Sequence, residues 1–93
     1  MIISTLLVKD NDDILDDSMR FHLNNGVDSF IVTAHNSNDN VREILHKHRN
    51  NILKLFVETD DTYNQSAWVT RMAVYAAIEH KPDWIIYCDA DEM

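Results

Sequence analysis

Cysteine, glycine and proline each occur once among the 93 residues of this chain, and each scarcity excludes something. A lone Cys88 cannot close an internal disulfide, so the fold has to rest on its core. Set inside an apolar run, it reads as a packed thiol in a reducing, cytoplasmic compartment. One glycine and one proline exclude low-complexity sequence and argue against an all-β fold built on tight turns. Long apolar runs are missing too. The longest, residues 6–8 with the neighbouring 1–3, is far too short to span a membrane and lacks the basic flank and cleavage site of a secretion signal. Bases are scarce: eight Lys and Arg face sixteen Asp and Glu, a formal charge of −8. That balance leaves no basic stripe for a nucleic acid, and a smaller anion such as a nucleotide phosphate would need a cation or a local Arg or Lys beside it. There is no Gly-x-Gly-x-x-Gly or Walker-type loop, and Gly26 stands where a helix ends, so ordinary dinucleotide and P-loop chemistry are not expected.

What the chain does contain is a regular alternation, sized for one small domain. Residues 2–8 (IISTLLV) form an apolar, β-branched run that predicts a first buried strand. Acids at Asp10 and Asp13 mark a helix start, Ile14, Leu15 and Met19 keep helical spacing, and Gly26 supplies a left-handed stop, so a helix is expected over residues 11–25. Residues 29–33 (SFIVT) predict a second strand, followed by a loop over 34–39 rich in helix-capping side chains. Val41, Ile44, Leu45 and His48 then lie at i, i+3, i+4 and i+7 and predict a helix whose Arg42, Lys47 and Arg49 stay wet. Residues 52–57 make a third strand, 58–66 a polar loop, and 64–80 a helix that buries Trp68, Val69, Met72, Ala73, Ala76 and Ala77 and stops before Pro82. Residues 84–88 (WIIYC) are the fourth strand. The order βαβαβαβ with short connections calls for an α/β fold: a parallel sheet covered by helices, the half of a doubly wound, Rossmann-like nucleotide-binding domain. Ligands in such sheets bind at the carboxyl ends of the strands, where the polar clusters at residues 9–13, 34–39, 58–63 and 89–92 all belong.

The last of these clusters is the most suggestive. In residues 84–93 (WIIYCDADEM) an apolar strand runs into acids, and if the backbone stays extended Asp89 and Asp91 project to the same side as a paired oxygen site. Mg²⁺ and Mn²⁺ favour such oxygens, taking one or two carboxylates from the protein and leaving other positions to water and phosphate. Asp10-Asn11-Asp12 is a second Asp-x-Asp, placed at a helix start. Other pairings weigh less. His46 and His48, about 200° apart on a helix, read as surface or core-edge histidines rather than metal ligands. Trp68 and Trp84 fall in apolar runs and read as core. Arg71, amid Trp68, Val69, Met72 and Ala73, needs an anionic partner: an ion pair with Asp89 or Asp91 and a ligand contact are both open.

Together these stretches resemble a known family. KDNDDIL (9–15), HLNNGVDSFIV (22–32), NSND (36–39), WVTRM (68–72) and WIIYCDADEM (84–93), in that order and covering nearly the whole chain, are similar to the amino-terminal half of family 2-like glycosyltransferases of the GT-A fold, in particular the branch whose fourth strand ends in Asp-Ala-Asp-Glu. The resemblance implies a nucleotide-diphosphate sugar held across the strand tips by Mn²⁺ or Mg²⁺ and transferred to an acceptor hydroxyl in surface-polysaccharide synthesis. It implies that Asp91 binds the metal with Asp89, that Asp89 approaches the ribose or sugar, that Arg71 lines the nucleotide pocket, and that Lys9-Asp10 and Ala34-His35 flank the base. Family members usually carry an acid or Asn where Ala34 and His35 stand, and Asn-Glu where this chain has Asp10-Asn11. The resemblance further implies that the acceptor-binding half and the catalytic base lie beyond Met93, so residues 1–93 are expected to be a donor-binding fragment, inactive alone and inclined to self-associate through an exposed sheet edge. Two rivals keep the same residues. One is a haloacid-dehalogenase-type phosphatase, although its Asp-x-Asp opens the domain and continues to Thr or Val where this chain has Glu92. The other is a non-catalytic nucleotide-binding or interaction module.

Overall fold

The computed structural model describes residues 1–8, 12–35, 39–58 and 65–89. Four strands and three α-helices alternate: β1 (Ile2–Val8), α1 (Asp12–Asn24), β2 (Ser29–His35), α2 (Asp39–Lys47), a 3-10 turn (Arg49–Asn51), β3 (Ile52–Glu58), α3 (Gln65–Glu79) and β4 (Trp84–Asp89). The strands form one parallel sheet in the order β3-β2-β1-β4. Register runs from Ile3 opposite Ser29 to Val8 opposite Ala34 between β1 and β2, and from Ile2 opposite Trp84 to Leu7 opposite Asp89 between β1 and β4. Between β2 and β3 a bulge at Phe30/Ile31 shifts the pairing, so that the two strands finish with His35 opposite Glu58.

The central strands are buried at nearly every position and largely apolar, with Ser4, Thr5, Thr33 and His35 as buried polar exceptions, because they are covered on both faces. On one side Leu6, Val8, Phe30, Val32 and Ala34 pack against Leu15 and Met19 of α1 and Val41 and Leu45 of α2. On the other side Ile3 and Ile31 pack against Met72 and Ala76 of α3. The period-2 alternation of a strand sends neighbouring residues to opposite layers, and only a nearly continuous apolar run can serve both. Helix ends follow local chemistry. Gly26 sits at φ +102° and lets the Val27 amide close onto the His22 carbonyl at 3.0 Å, the 6→1 bond of a Schellman stop. At the end of α3 Lys81 takes φ +46°, its amide reaches Ala76 O at 3.1 Å, and Pro82 prevents any continuation.

Polar links hold the amino ends of the strands. The Met1 ammonium meets Asp83 at 2.6 Å, the Asp83 amide donates to Met1 O at 2.9 Å, and the Ile2 amide donates to Asp28 Oδ2 at 2.7 Å. A second network ties α1 to α2: Asp16 accepts from His48 Nε2 at 2.5 Å and lies 3.2 Å from both Lys47 Nζ and Arg20 Nη2. His48, counted above on the apolar face of α2, is the first residue past that helix and is buried.

Several expectations need correction. β2 runs two residues further than the sequence suggested, so Ala34 and His35 are strand residues, buried in their layers, and Glu58 ends β3 instead of opening a loop. Trp84 is not core: as the first residue of an edge strand it is 70% exposed. Ala77 faces solvent, because α3 lies on the sheet along Trp68, Met72 and Ala76. Burial on both faces holds for β1 and β2 only. β3 and β4 are edges, and Leu55, Val57, Ile85, Ile86 and Tyr87 are exposed.

Candidate functional site at the strand tips

The crossovers fix where a ligand can sit. From β1 the chain steps to β2 and then β3 on one side, and it returns to place β4 on the other side of β1. The sheet therefore changes direction between β1 and β4, and the crevice outside their carboxyl ends is the binding position such sheets favour. Lys9 and Asp10 follow β1 directly and Asp91 follows β4; these three lie outside the described residues. Asp89 is the last residue of β4, in register with Leu7, which places it one pair below the tip of β1.

The neighbouring tips carry a second group. Because the bulge brings Glu58 opposite His35, the ends of β2 and β3 present both residues to the layer in which α3 lies. α3 contributes Trp68 and Arg71. The His35 ring lies 4.9 Å from the Trp68 ring at 46°, with His35 3% and Trp68 7% exposed, so the pair forms a closed floor rather than an open stacking surface. Arg71 Nη1 donates to Glu58 Oε1 at 2.6 Å, and its guanidinium carbon stands 4.1 Å from the Phe56 ring centroid. Its Nε and Nη2 are buried and have no hydrogen-bond partner among the described residues. Two covered nitrogens of a permanent cation thus lack a partner among the described residues near the tip of the sheet, and a carboxylate or phosphate oxygen is the kind of acceptor that would satisfy them.

Among the described residues the anionic partner of Arg71 is Glu58; Asp91 and the side chain of Asp89, the partners expected from sequence, lie outside them. Sequence reading missed Glu58, which was assigned to a polar loop. The signal was the arginine itself, a buried cation that demands an acid nearby; the choice of acid was set by the bulge in β2–β3, for which the sequence offers no mark. Among the described residues no cluster of three or more His, Cys, Asp or Glu forms a metal site. His46 and His48 are separated as expected, one exposed on α2 and one buried against Asp16. Comparison with protein families, with curated proteins and with solved structures found no match to this chain.

Proposed function

We propose that this chain is the donor-binding half of a family 2-like glycosyltransferase of the GT-A type, which holds a nucleotide-diphosphate sugar for transfer to an acceptor hydroxyl in surface-polysaccharide synthesis. The observation that supports the reading is where β4, the strand that leads into the Asp-Ala-Asp-Glu sequence, ends. That end lies beside β1, at the point where the parallel sheet reverses its strand order. The donor set suits the cation such a site takes: Asp89 and Asp91 supply the one or two carboxylates that Mn²⁺ or Mg²⁺ draws from a protein, and the diphosphate supplies further oxygens. Bound there, the cation would act as a Lewis acid on the leaving diphosphate. The chain's own residues take the remaining roles. Arg71 offers its two unused donors to the nucleotide, Lys9 and Asp10 flank the base from β1, and Ala34 and His35, being buried, shape the wall beneath it.

Calorimetry with UDP and GDP, with and without Mn²⁺, tests this reading. Binding of at least one nucleotide should strengthen when Mn²⁺ is present. Asp91→Asn, which keeps the shape and removes the charge, should abolish the metal effect. Asp12→Asn should leave it intact, because Asp12 opens α1. Loss of the metal effect in the Asp12 variant with retention in the Asp91 variant would place the site on the wrong strand and remove its chemical support.

A further inference from the structure

On the face packed by α1 and α2, those helices lie over β1 and β2, and β3 is left without a helix above it. The result is a groove of about 540 Å³ between α2 and β3, floored by Leu45, Ile52, Leu55 and Val57, with Val57 58% and Leu55 40% exposed. Its rim is basic. Arg42, His46 and Arg49 follow one another at i, i+4 and i+7 along the edge of α2 and the turn after it. In a chain of net charge −8 this distribution is not that of the surface at large. Arg20, Lys47 and Arg71 are engaged by acids, whereas Arg42 and Arg49 have no carboxylate partner among the described residues. Among the described residues the one acid lining the groove, Glu58, is held by Arg71. Lys54 also lines the groove, with its amine 5.5 Å from the Phe56 ring centroid.

We propose that this groove is a docking site for an acidic amphipathic helix of another protein. The apolar floor requires an apolar stripe, and the uncompensated cations on one rim require acids along the flank beside α2. The groove is recessed between α2 and β3, so a helix can enter it where a flat bilayer would meet only the rim. β3 spans seven residues, roughly 23 Å at strand rise, which a helix of about 15 residues covers. A second copy of this chain does not supply the occupant. α3 exposes Val74 and Ile78 but has no acid in its first turn, and α1 is acidic but, among its described side chains, exposes only Phe21 of the large apolar residues. The bare edge at β4 is more apolar still, yet no charge pattern around it specifies a partner.

The probe is a 15-residue helical peptide with Leu at i, i+3, i+4 and i+7 spacing and Glu on its flanks. It is compared with the same peptide carrying Lys for Glu, and with phosphatidylserine-containing vesicles. Fluorescence anisotropy should show the Glu peptide binding at least tenfold more tightly than the Lys peptide and weakening with salt, and amide shifts should map to β3 and α2. Arg42→Glu with Arg49→Glu, both exposed positions, should reverse the preference without altering the thermal transition, and Val57→Asp should abolish binding. Equal affinity for the two peptides, shifts confined to β4, or vesicle binding lost in the double variant while neither peptide binds would overturn the proposal.

Discussion

Replacing Arg71 by methionine separates the two things this side chain does. Methionine keeps much of the aliphatic stem and removes the guanidinium. On the stability side, the change breaks the 2.6 Å bond to Glu58 and the contact with Phe56. The pair is partly wet, with side chains 36% and 23% exposed, so solvent screening limits it to about 1 kcal/mol. The cation–π contact adds roughly 0.5–1 kcal/mol. A total near 1–2 kcal/mol, in a domain of this size, corresponds to a melting temperature lower by about 5–15 °C. On the binding side, losing two donors aimed at a charged ligand costs roughly 1.5–3 kcal/mol, about ten- to hundredfold in nucleotide affinity. Thermal melting followed by circular dichroism reads the first effect, and calorimetry with UDP or GDP in Mn²⁺ reads the second. Glu58→Gln supplies the contrast. It should weaken the fold by less, because the ion pair is lost but the Phe56 contact stays, while leaving nucleotide affinity within a few-fold, since Nε and Nη2 remain in place. If Arg71→Met melts at a lower temperature yet binds nucleotide as the wild type does, Arg71 is a packing residue and the placement of a phosphate or base beside α3 is refuted.

Three further outcomes follow from the fold. The hydrogen bond from His48, helped by those of Lys47 and the charge of Arg20, holds Asp16 below the ordinary carboxylate value of 3.8, against a smaller opposing effect of burial. Its contribution is therefore complete above that value and disappears as pH falls through the lower folded-state value; denaturant titrations of wild type and Asp16→Asn should converge on acidification through this window, and curves that stay parallel would refute it. Gly26→Ala should cost about 1–2 kcal/mol in the same assay although nothing lies within 4 Å of the added methyl, because the φ of +102° disfavours any side chain; an unchanged midpoint would mean that the turn relaxes freely. Trp84, Ile85, Ile86 and Tyr87 leave an apolar edge at β4, 70, 38, 42 and 39% exposed, so sedimentation should show concentration-dependent association that Ile86→Lys suppresses. A strictly monomeric wild type with a concentration-independent melt would count against that edge as a contact.

The alternation of elements was legible because β1 and β2 each feed two layers and α1 and α2 each feed one, so continuous apolar runs and 3.6-residue spacing stood out. Boundaries failed where burial and polarity part company. His35 and Glu58 looked like loop residues because they are polar, yet His35 is sheltered by Trp68 and Glu58 is neutralised by Arg71. Trp84 looked like core because it is large and lies in an apolar run. Strand order decides that question, and order is not written in local pattern: β4 pairs only with β1, on the outer side. The pairing of Asp89 with the β1 tip follows from the same topology, since a parallel strand returning beside β1 has to end where β1 ends.

The polarity of the sheet accounts for how stability and chemistry are divided along it. All four strands run the same way, so every amino end lies at one edge, where the acids Asp28 and Asp83 are matched by the Ile2 amide and the Met1 ammonium. At the opposite edge β1, β2 and β3 each deliver the chain toward a helix, and α1, α2 and α3 begin there, at Asp12, Asp39 and Gln65. Helix amino termini carry partial positive charge from unpaired backbone amides. Among the described residues that edge thus gathers three helix starts and the guanidinium of Arg71, whose field there is positive. Under the proposed function, an anion with a divalent cation would meet this field even in a chain of net charge −8. The same division predicts which substitutions matter for what. Changes at Asp28 or Asp83 should move stability and leave ligand affinity alone, because their partners are all at the edge farthest from the crevice between β1 and β4.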